Sequence, residues 1–418
     1  MTMYPTHPNH GPTDPSAGAI FTCPALQGLA RMVELLPAPV SVGAHAQVVP
    51  VTLDQNVARV RLDGATASPA NMLALAGSGV TVFDDGLSLR ASRAGRLSVD
   101  QHGRLSVVPM LEVDGHVTPS SGPVDFEGDV LVRGDVRDNA HLRCGGTLWV
   151  TGCIEAAHLD VARDICVADG ISGNNKACCS AGGNISAKHI SHGNVRAGGD
   201  VTVDGTVSGS QVDCDGRLIV NRGSVVSSRV TAVGGLRCSV LGAPADGHTV
   251  IEVGNDHRLA AQAQQTIREI QQQRFKAAEL RRSAEPLLRF RKHLTPTLQT
   301  QMSDLLHQAA KLDVRSAEGM EWLRVAYERM TNSAAHAIEV TQRVHGRLTL
   351  LFPRVSCRVL RERPGPIRIE TRRIDGLEQV VMLDAGGEIV QVLEAQPVVN
   401  DALDAVHQAT VVQTPQAA

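Results

Sequence analysis

Apolar residues between Gly115 and Gly254 fall into columns. Segments aligned on Val124, Leu142, Leu159, Cys179, Val195, Val212 and Val230 follow one another at steps of 18, 17, 20, 16, 17 and 18 residues. A second column stands two residues on, at Phe126, Cys144, Val161, Ala181, Ala197, Cys214 and Ala232. A third runs Val130, Leu148, Ile165, Ile185, Val201, Leu218, Leu236, and a fourth Val132, Val150, Val167, Ala187, Val203, Val220, Cys238. A fifth holds Val136, Ile154, Ile171, Ile190, Val207 and Val225. Residues between paired columns are polar or small, the period-2 signature of strands that bury one face. Gly, Asn or Asp marks the corners. Strands this short gain stability only by stacking like on like. The repeat therefore predicts a right-handed β-helix, a solenoid of about seven coils, over residues 116–254.

The spacing then changes. Residues 255–345 hold one Gly, and their apolar residues fall at helical 3/4 spacing. Leu298, Met302, Leu305, Ala309 and Leu312 form one run, and Met320, Leu323, Tyr327, Met330, Ala334 and Ala337 another, with a slip near Gly319. Ile267, Ile270, Ala277 and Leu280 fit an earlier helix. Thr295-Pro296 is a helix start signal, so an antiparallel helical hairpin or coiled coil with its turn at Lys292–Thr295 is expected. Pro286 should kink or break the first helix.

Residues 346–395 return to strand character at Leu348, Leu350, Val355, Val359, Ile367, Ile369 and Val380 to Leu383, a small C-terminal β module. Residues 396–418, rich in Ala, Gln and Thr, read as a loose tail. Upstream, residues 1–20 carry four Pro and two His and read as a disordered tail. Residues 21–115 combine an amphipathic stretch (Leu26, Leu29, Val33, Leu36) with strand alternation at Val80, Val82 and Leu87, Leu89, which predicts an N-terminal α+β domain. The fold class is mainly β with a helical insertion and small flanking β or α+β modules.

Composition sharpens this reading. At 418 residues the chain is too long for one typical domain. Aromatic residues make up 2%, so the core must be narrow and built from Val, Ile, Leu and Ala, as in solenoids and coiled coils. A net charge of −3 argues against bulk attraction to nucleic acid. Nine Cys without a CxxC read as reduced thiols of a cytoplasmic protein. No apolar run of about 18 residues is present, and the first 18 residues lack the features of a secretory signal, so neither a transmembrane helix nor export is expected.

Several segments, taken in order, resemble the bacterial flagellar assembly protein A family. Val117 to Gly134 (VTPSSGPVDFEGDVLVRG) is similar to the family's lead into its β-helix, and GDVTVDGTVSGSQVDCDG to its coil. Gly170-Ile171-Ser172-Gly173 and Ala187-Lys188-His189-Ile190 resemble its central coils. Asn221-Arg222-Gly223 followed by His248 to Gly254 resembles its way out, and Phe352-Pro353-Arg354-Val355 the turn after its hairpin. The Pro- and Gly-rich motif usual before that β-helix is not found between Met32 and Ala76. The coils are also similar to the C-terminal domain of the septum inhibitor MinC, a scaffold. The resemblance, over roughly residues 75–390, implies a part in flagellar assembly or placement. Its implied partners are proteins, flagellar assembly or polar-localisation factors among them.

Candidate chemistry is sparse. Cys144, Cys179 and Cys214 fall on inward columns and read as small ladder hydrophobes. A metal site would need Cys153, Cys166, Cys178 and His158 to converge without a recognised ligand spacing. Gly-Asp pairs (Gly128-Asp129, Gly134-Asp135, Gly199-Asp200) read as corner turns, because Ca²⁺-binding repeats recur every nine residues and these do not. A hexapeptide-type acyltransferase would need strict six-residue register, which the uneven coils break; His141 and His158 should point outward.

Two features are candidates for partner docking. Asn174-Asn175-Lys176 makes the longest coil-to-coil step, either an outward binding loop or a tolerated insertion. The expected hairpin tip is basic, with Arg274, Lys276, Arg281, Arg282, Arg289, Arg291 and Lys292 against Glu279 and Glu285. It is either a solvated face or a docking site for an acidic partner surface or membrane headgroups. No nucleophile, P-loop or dinucleotide motif stands out, and no cofactor is implied. The reading is a non-enzymatic cytoplasmic scaffold or adaptor, with homo-oligomerisation open. The alternatives are a self-associating β-helix polymer, whose open end coils could stack, and a β-helix acyltransferase.

Overall fold

The structure, a computed structural model, describes residues 20–22, 32–43, 46–61, 73–85, 88–100, 102–174, 178–244, 247–289, 295–331, 336–398 and 400–411. Apart from Ile20, the expected disordered tail lies outside these residues.

The body is a β-solenoid of about eight turns whose coils carry three ladders. The first stacks Val124, Leu142, Leu159, Cys179, Val195, Val212, Val230, Ile251 and Leu350 in register. The second runs Leu111, Val130, Leu148, Ile165, Ile185, Val201, Leu218, Leu236 and Ile338. The third climbs from Val117 through Val136, Ile154, Ile171, Ile190, Val207, Val225 and Leu241 to Val344. Columns one and two thus share the first ladder, columns three and four the second, and the fifth column is the third. The rung after Leu236–Leu241 is split, because its strand Ile338–Val344 follows the helices.

Inward residues are sealed: Val201 and Val203 expose 0% of their surface, while Thr202 between them is partly exposed. Cys144, Cys179 and Cys214 are buried in the ladders. Burial pushes the Cys144 thiol up to about 11 and the Cys179 thiol up to about 12. His141 and His158 point outward and stack on each other with ring centroids 5.0 Å apart.

Asp and Asn side chains at the coil corners form a ladder of their own. Asn184 N–H donates to Asp164 Oδ1 at 2.7 Å, Asp200 N–H to Asn184 Oδ1 at 2.8 Å, and Arg217 N–H to Asp200 Oδ1 at 2.7 Å. Each corner side chain thereby caps a backbone donor in the next coil. A Cβ at Gly199 or Gly216 would overlap the capping oxygen of the coil before, so these glycines make room for the tucked side chain.

The described N-terminal residues are chiefly strands, including Met32–Leu35, Asn56–Arg61, Val80–Val82, Ser88–Ala91 and Gly95–Val99, with helical residues at 73–75. Val33 lies on a strand, not on the expected amphipathic helix; 23–31 lie outside the described residues. Strand pairing there satisfies the backbone against Asn56–Arg61 and Ile20–Thr22. Arg96 Nε reaches Asp129 Oδ2 at 2.8 Å in a buried ion pair, and its guanidinium lies over the Trp149 ring. The hairpin Val40–Val42 and Ala46–Val48 covers the outward side chains Leu131 and Trp149.

At the far end the parallel ladders close. Leu348–Leu351 pairs antiparallel with Val355–Val359, and Ile338–Val344 with Ile367–Ile374, which continues through Leu377–Leu383 to Ile389–Leu393. Val355, Cys357, Ile367, Ile369, Val380 and Met382 share one core with the coils. Three helices complete the described chain: α1 (His257–Arg289), α2 (Pro296–Thr331) and α3 (Asp401–Val411). Helix α2 starts at Pro296, as Thr295-Pro296 predicts. Helix α1 continues through Pro286 to Arg289 and is not broken there: the proline forgoes one intrahelical hydrogen bond close to the helix end, while Ala284 just before it is held in the seam. The expected loose tail instead contains α3, whose Leu403 and Val406 are buried on the other helices.

Candidate docking arm and the cleft at its root

The arm rises from the solenoid at Thr249–Val253 and returns at Ile338–Val344. Gly254 turns the chain with φ +78, a conformation that suits glycine. Asp256 then caps α1, its Oδ1 accepting from Leu259 N–H at 2.8 Å. Arg258 reaches back to Asp215 on the coil below at 2.7 Å. On the return side, buried His336 packs against Gly254, and burial lowers its basicity.

Along the seam, buried residues repeat every seven: Ala263, Ile270, Ala277 and Ala284 on α1 face Met302, Ala309, Ser316, Leu323 and Met330 on α2. This is a heptad seam made mostly of small side chains. A Cβ at Gly319 would stand 3.0 Å from Ile270 Cγ1, so the helices approach closely there. Arg274 Nε donates to buried Ser316 Oγ at 2.9 Å.

The basic residues of the arm are partly engaged. Arg281 pairs with Asp313 on α2, and Arg289 with Glu285 at 2.7 Å. Arg282 is exposed and borders a shallow groove with Lys276, Glu279, Leu280 and Ser283. Arg291 and Lys292 lie outside the described residues, as do Asn175 and Lys176 of the coil loop. Asn174 sits at a coil corner with φ 44, on a different element from the arm residues. The structure therefore gathers Arg281, Arg282 and Arg289 on one helix and leaves Asn174 on the solenoid.

The four residues weighed as a metal set spread over different faces. Cys178 neighbours His158 in the first ladder, Cys166 pairs with Trp149 and Ser186 in the second, and Cys153 stands at the Asp135 corner. Among the described residues no group of three or more His, Cys, Asp or Glu is placed to hold a metal ion.

Composition and spacing do not reveal the root of the arm. There α3 wedges against both long helices, and the rings of Tyr327 and His407 stack at 5.3 Å. Asn400 caps α3 through Leu403 N–H and donates from Nδ2 to Pro353 O at 3.1 Å. This joins α3 to the turn Phe352-Pro353-Arg354-Val355, closed by Phe352 N–H to Val355 O at 2.8 Å. Beside that turn lies a cleft of about 1000 Å³. The FPRV turn was the one visible signal of it.

No described helix is long and apolar enough to cross a membrane. Residues 109–372 match the family model described as the Flagellar Assembly Protein A beta solenoid domain. No curated protein and no solved structure matches the chain.

Proposed function

The chain belongs to the Flagellar Assembly Protein A β-solenoid family, and from that premise we propose that it is a non-enzymatic cytoplasmic scaffold in flagellar assembly or placement. One observation carries the reading: the matched segment takes in the solenoid, the arm and the first of the closing strands together. A rigid ladder of coils sets spacing, and the arm presents a partner-binding face. Arg281, Arg282, Arg289, Arg291 and Lys292 supply that contact, with Asn174, Asn175 and Lys176 a second contact on the coils.

Deleting the gene is expected to reduce swimming through flagellar number or position, with growth unchanged. A copy with residues 257–335 replaced by a Gly/Ser linker retains the Ile338–Val344 rung, so it should fold yet fail to rescue. Full rescue by that copy would move the contact to the coils, and normal flagellation in the deletion strain would end the flagellar reading. Reversing Arg281, Arg282, Arg289 and Arg291 to Glu should abolish capture of the partner. Capture by the unaltered arm should weaken as salt rises, since exposed charges are screened beyond ~8–10 Å.

A further inference from the structure

The cleft at the root of the arm has no part in that reading. It opens between the end of α2, helix α3, the FPRV turn and the strands Ile367–Ile374, Leu377–Leu383 and Ile389–Leu393. Met330, Leu377, Val392, Val398 and Leu403 give it apolar walls. Its charged groups are unevenly served. Arg372 Nε donates to Glu370 at 2.8 Å and Arg373 Nε to Gly376 O at 3.2 Å, so both are held by their own strand and turn. Glu378 and Glu394 also line the cleft.

Arg354 differs. Its side chain is 38% exposed, yet its Nε and Nη2 are buried and have no hydrogen-bond partner among the described residues. The nearest anion is Asp404 Oδ1, 3.6 Å from Nη2, which attracts the guanidinium without accepting its proton. Guanidinium N–H groups removed from water without an acceptor are destabilising, so an incoming acceptor gains more here than at an exposed arginine. The fork of donors matches an oxyanion held by two oxygens. The apolar walls favour a ligand whose remaining body is apolar.

We propose that this cleft binds an amphipathic oxyanion, a carboxylate or sulfonate on an apolar body. The anionic group sits on Arg354 and the body lies against Leu377, Val392 and Val398. Asp404 is the resident competitor, displaced from the guanidinium when the ligand enters. The inference is independent of the flagellar reading and of the basic arm.

The test is fluorescence titration of the full chain with anilinonaphthalene sulfonate, followed by displacement. One saturable site is expected, emptied by dodecanoate and not by dodecyltrimethylammonium. Arg354→Met should weaken binding about tenfold or more. Asp404→Asn should tighten it, because the competing carboxylate is gone; a merely structural role for either residue would not move the two in opposite directions. Leu377→Glu, at a rim position 66% exposed, should weaken binding without cost to the fold, and with Asp404→Asn it keeps the test decisive if Arg354→Met lowers the melting temperature. Non-saturable binding, displacement by the cationic amphiphile, or unchanged affinity in Asp404→Asn and Leu377→Glu would overturn the proposal.

Discussion

Val203 in the solenoid and Ala277 in the arm are both buried, but by different means. Val203 sits between Ala187 and Val220, one coil away on either side, in a column closed to solvent. Ala277 lies in a two-helix seam whose outer faces are wet, with charged or polar residues at most flanking positions. The solenoid excludes water by stacking branched side chains three ladders deep. The arm does so by using side chains small enough for two backbones to come together. A polar intrusion should therefore damage the coils most, whereas added bulk should damage the arm.

The largest effect separating the two should come from Val203→Asp. It buries a charge without a partner, at a cost of at least about 3 kcal/mol. Thr202→Asp on the outward side should cost well under ~1 kcal/mol. Equal melting temperatures for the pair would refute the register. Next comes Gly319→Leu in the arm. Forcing side-chain atoms into the space 3.0 Å from Ile270 Cγ1 costs roughly 1–3 kcal/mol by overpacking, offset in part by about 1 kcal/mol of helix propensity. The expected outcome is an earlier helical melt by circular dichroism with the β signal of the coils retained. A single unshifted transition would show that close approach is not what the glycine serves.

A smaller effect belongs to acid. The Cys153 backbone N–H donated to Asp135 Oδ1 holds this carboxyl below the usual carboxylate range; burial opposes the shift, and Arg137 and His116 add to it. Because its folded pKa is depressed, its contribution is present above the ordinary value near ~3.9 and lost as pH falls through the lower folded value. Asp135→Asn keeps an oxygen for the same N–H but cannot titrate. It should flatten the acid limb of stability by lowering stability at pH ~7, where the ionised carboxylate contributes, while changing little at low pH, where the parent's carboxyl is already protonated. An acid limb identical to the parent would place the dependence elsewhere. The smallest effect should be the Arg281–Asp313 pair, with side chains 54% and 40% exposed. A double-mutant cycle to Ala is expected to give a coupling under ~1 kcal/mol that vanishes in high salt. A larger coupling would make this pair part of the seam.

The coils were legible because each residue's neighbours stand one repeat away in the chain, so columns in the sequence are columns in space. The last rung was harder to see, since Ile338 stacks on Leu236 only after both long helices intervene. The C-terminal segment hides its helix for a related reason. Ala, Gln and Thr dominate its composition, yet Leu403 and Val406 fall three apart on one helical face and meet a surface that only the folded hairpin creates. Local pattern also gives no hint that outward Leu131 and Trp149 are covered by the strands Val40–Val42 and Ala46–Val48. Of the docking candidates, clustering of charge is visible, but the engagement of Arg281 by Asp313 depends on how α2 packs along α1. Arg354 was visible only as part of a turn; its cleft is assembled from segments as far apart as Tyr327 and Asp404.

The placing of both feet of the arm in one split coil has a mechanical corollary. Strands Thr249–Val253 and Ile338–Val344 are locked into the ladders, so what happens beyond Asp256 and His336 need not disturb the coils. The seam repeats every seven residues, and seven helical residues rise about 10 Å. Removing or inserting one heptad in each long helix, between Ala277 and Ala284 and between Met302 and Ala309, would shorten or lengthen the arm by that step with the seam intact. The molecule is thus a fixed pedestal with a mast of adjustable height, and its reach can be tuned in quantised increments.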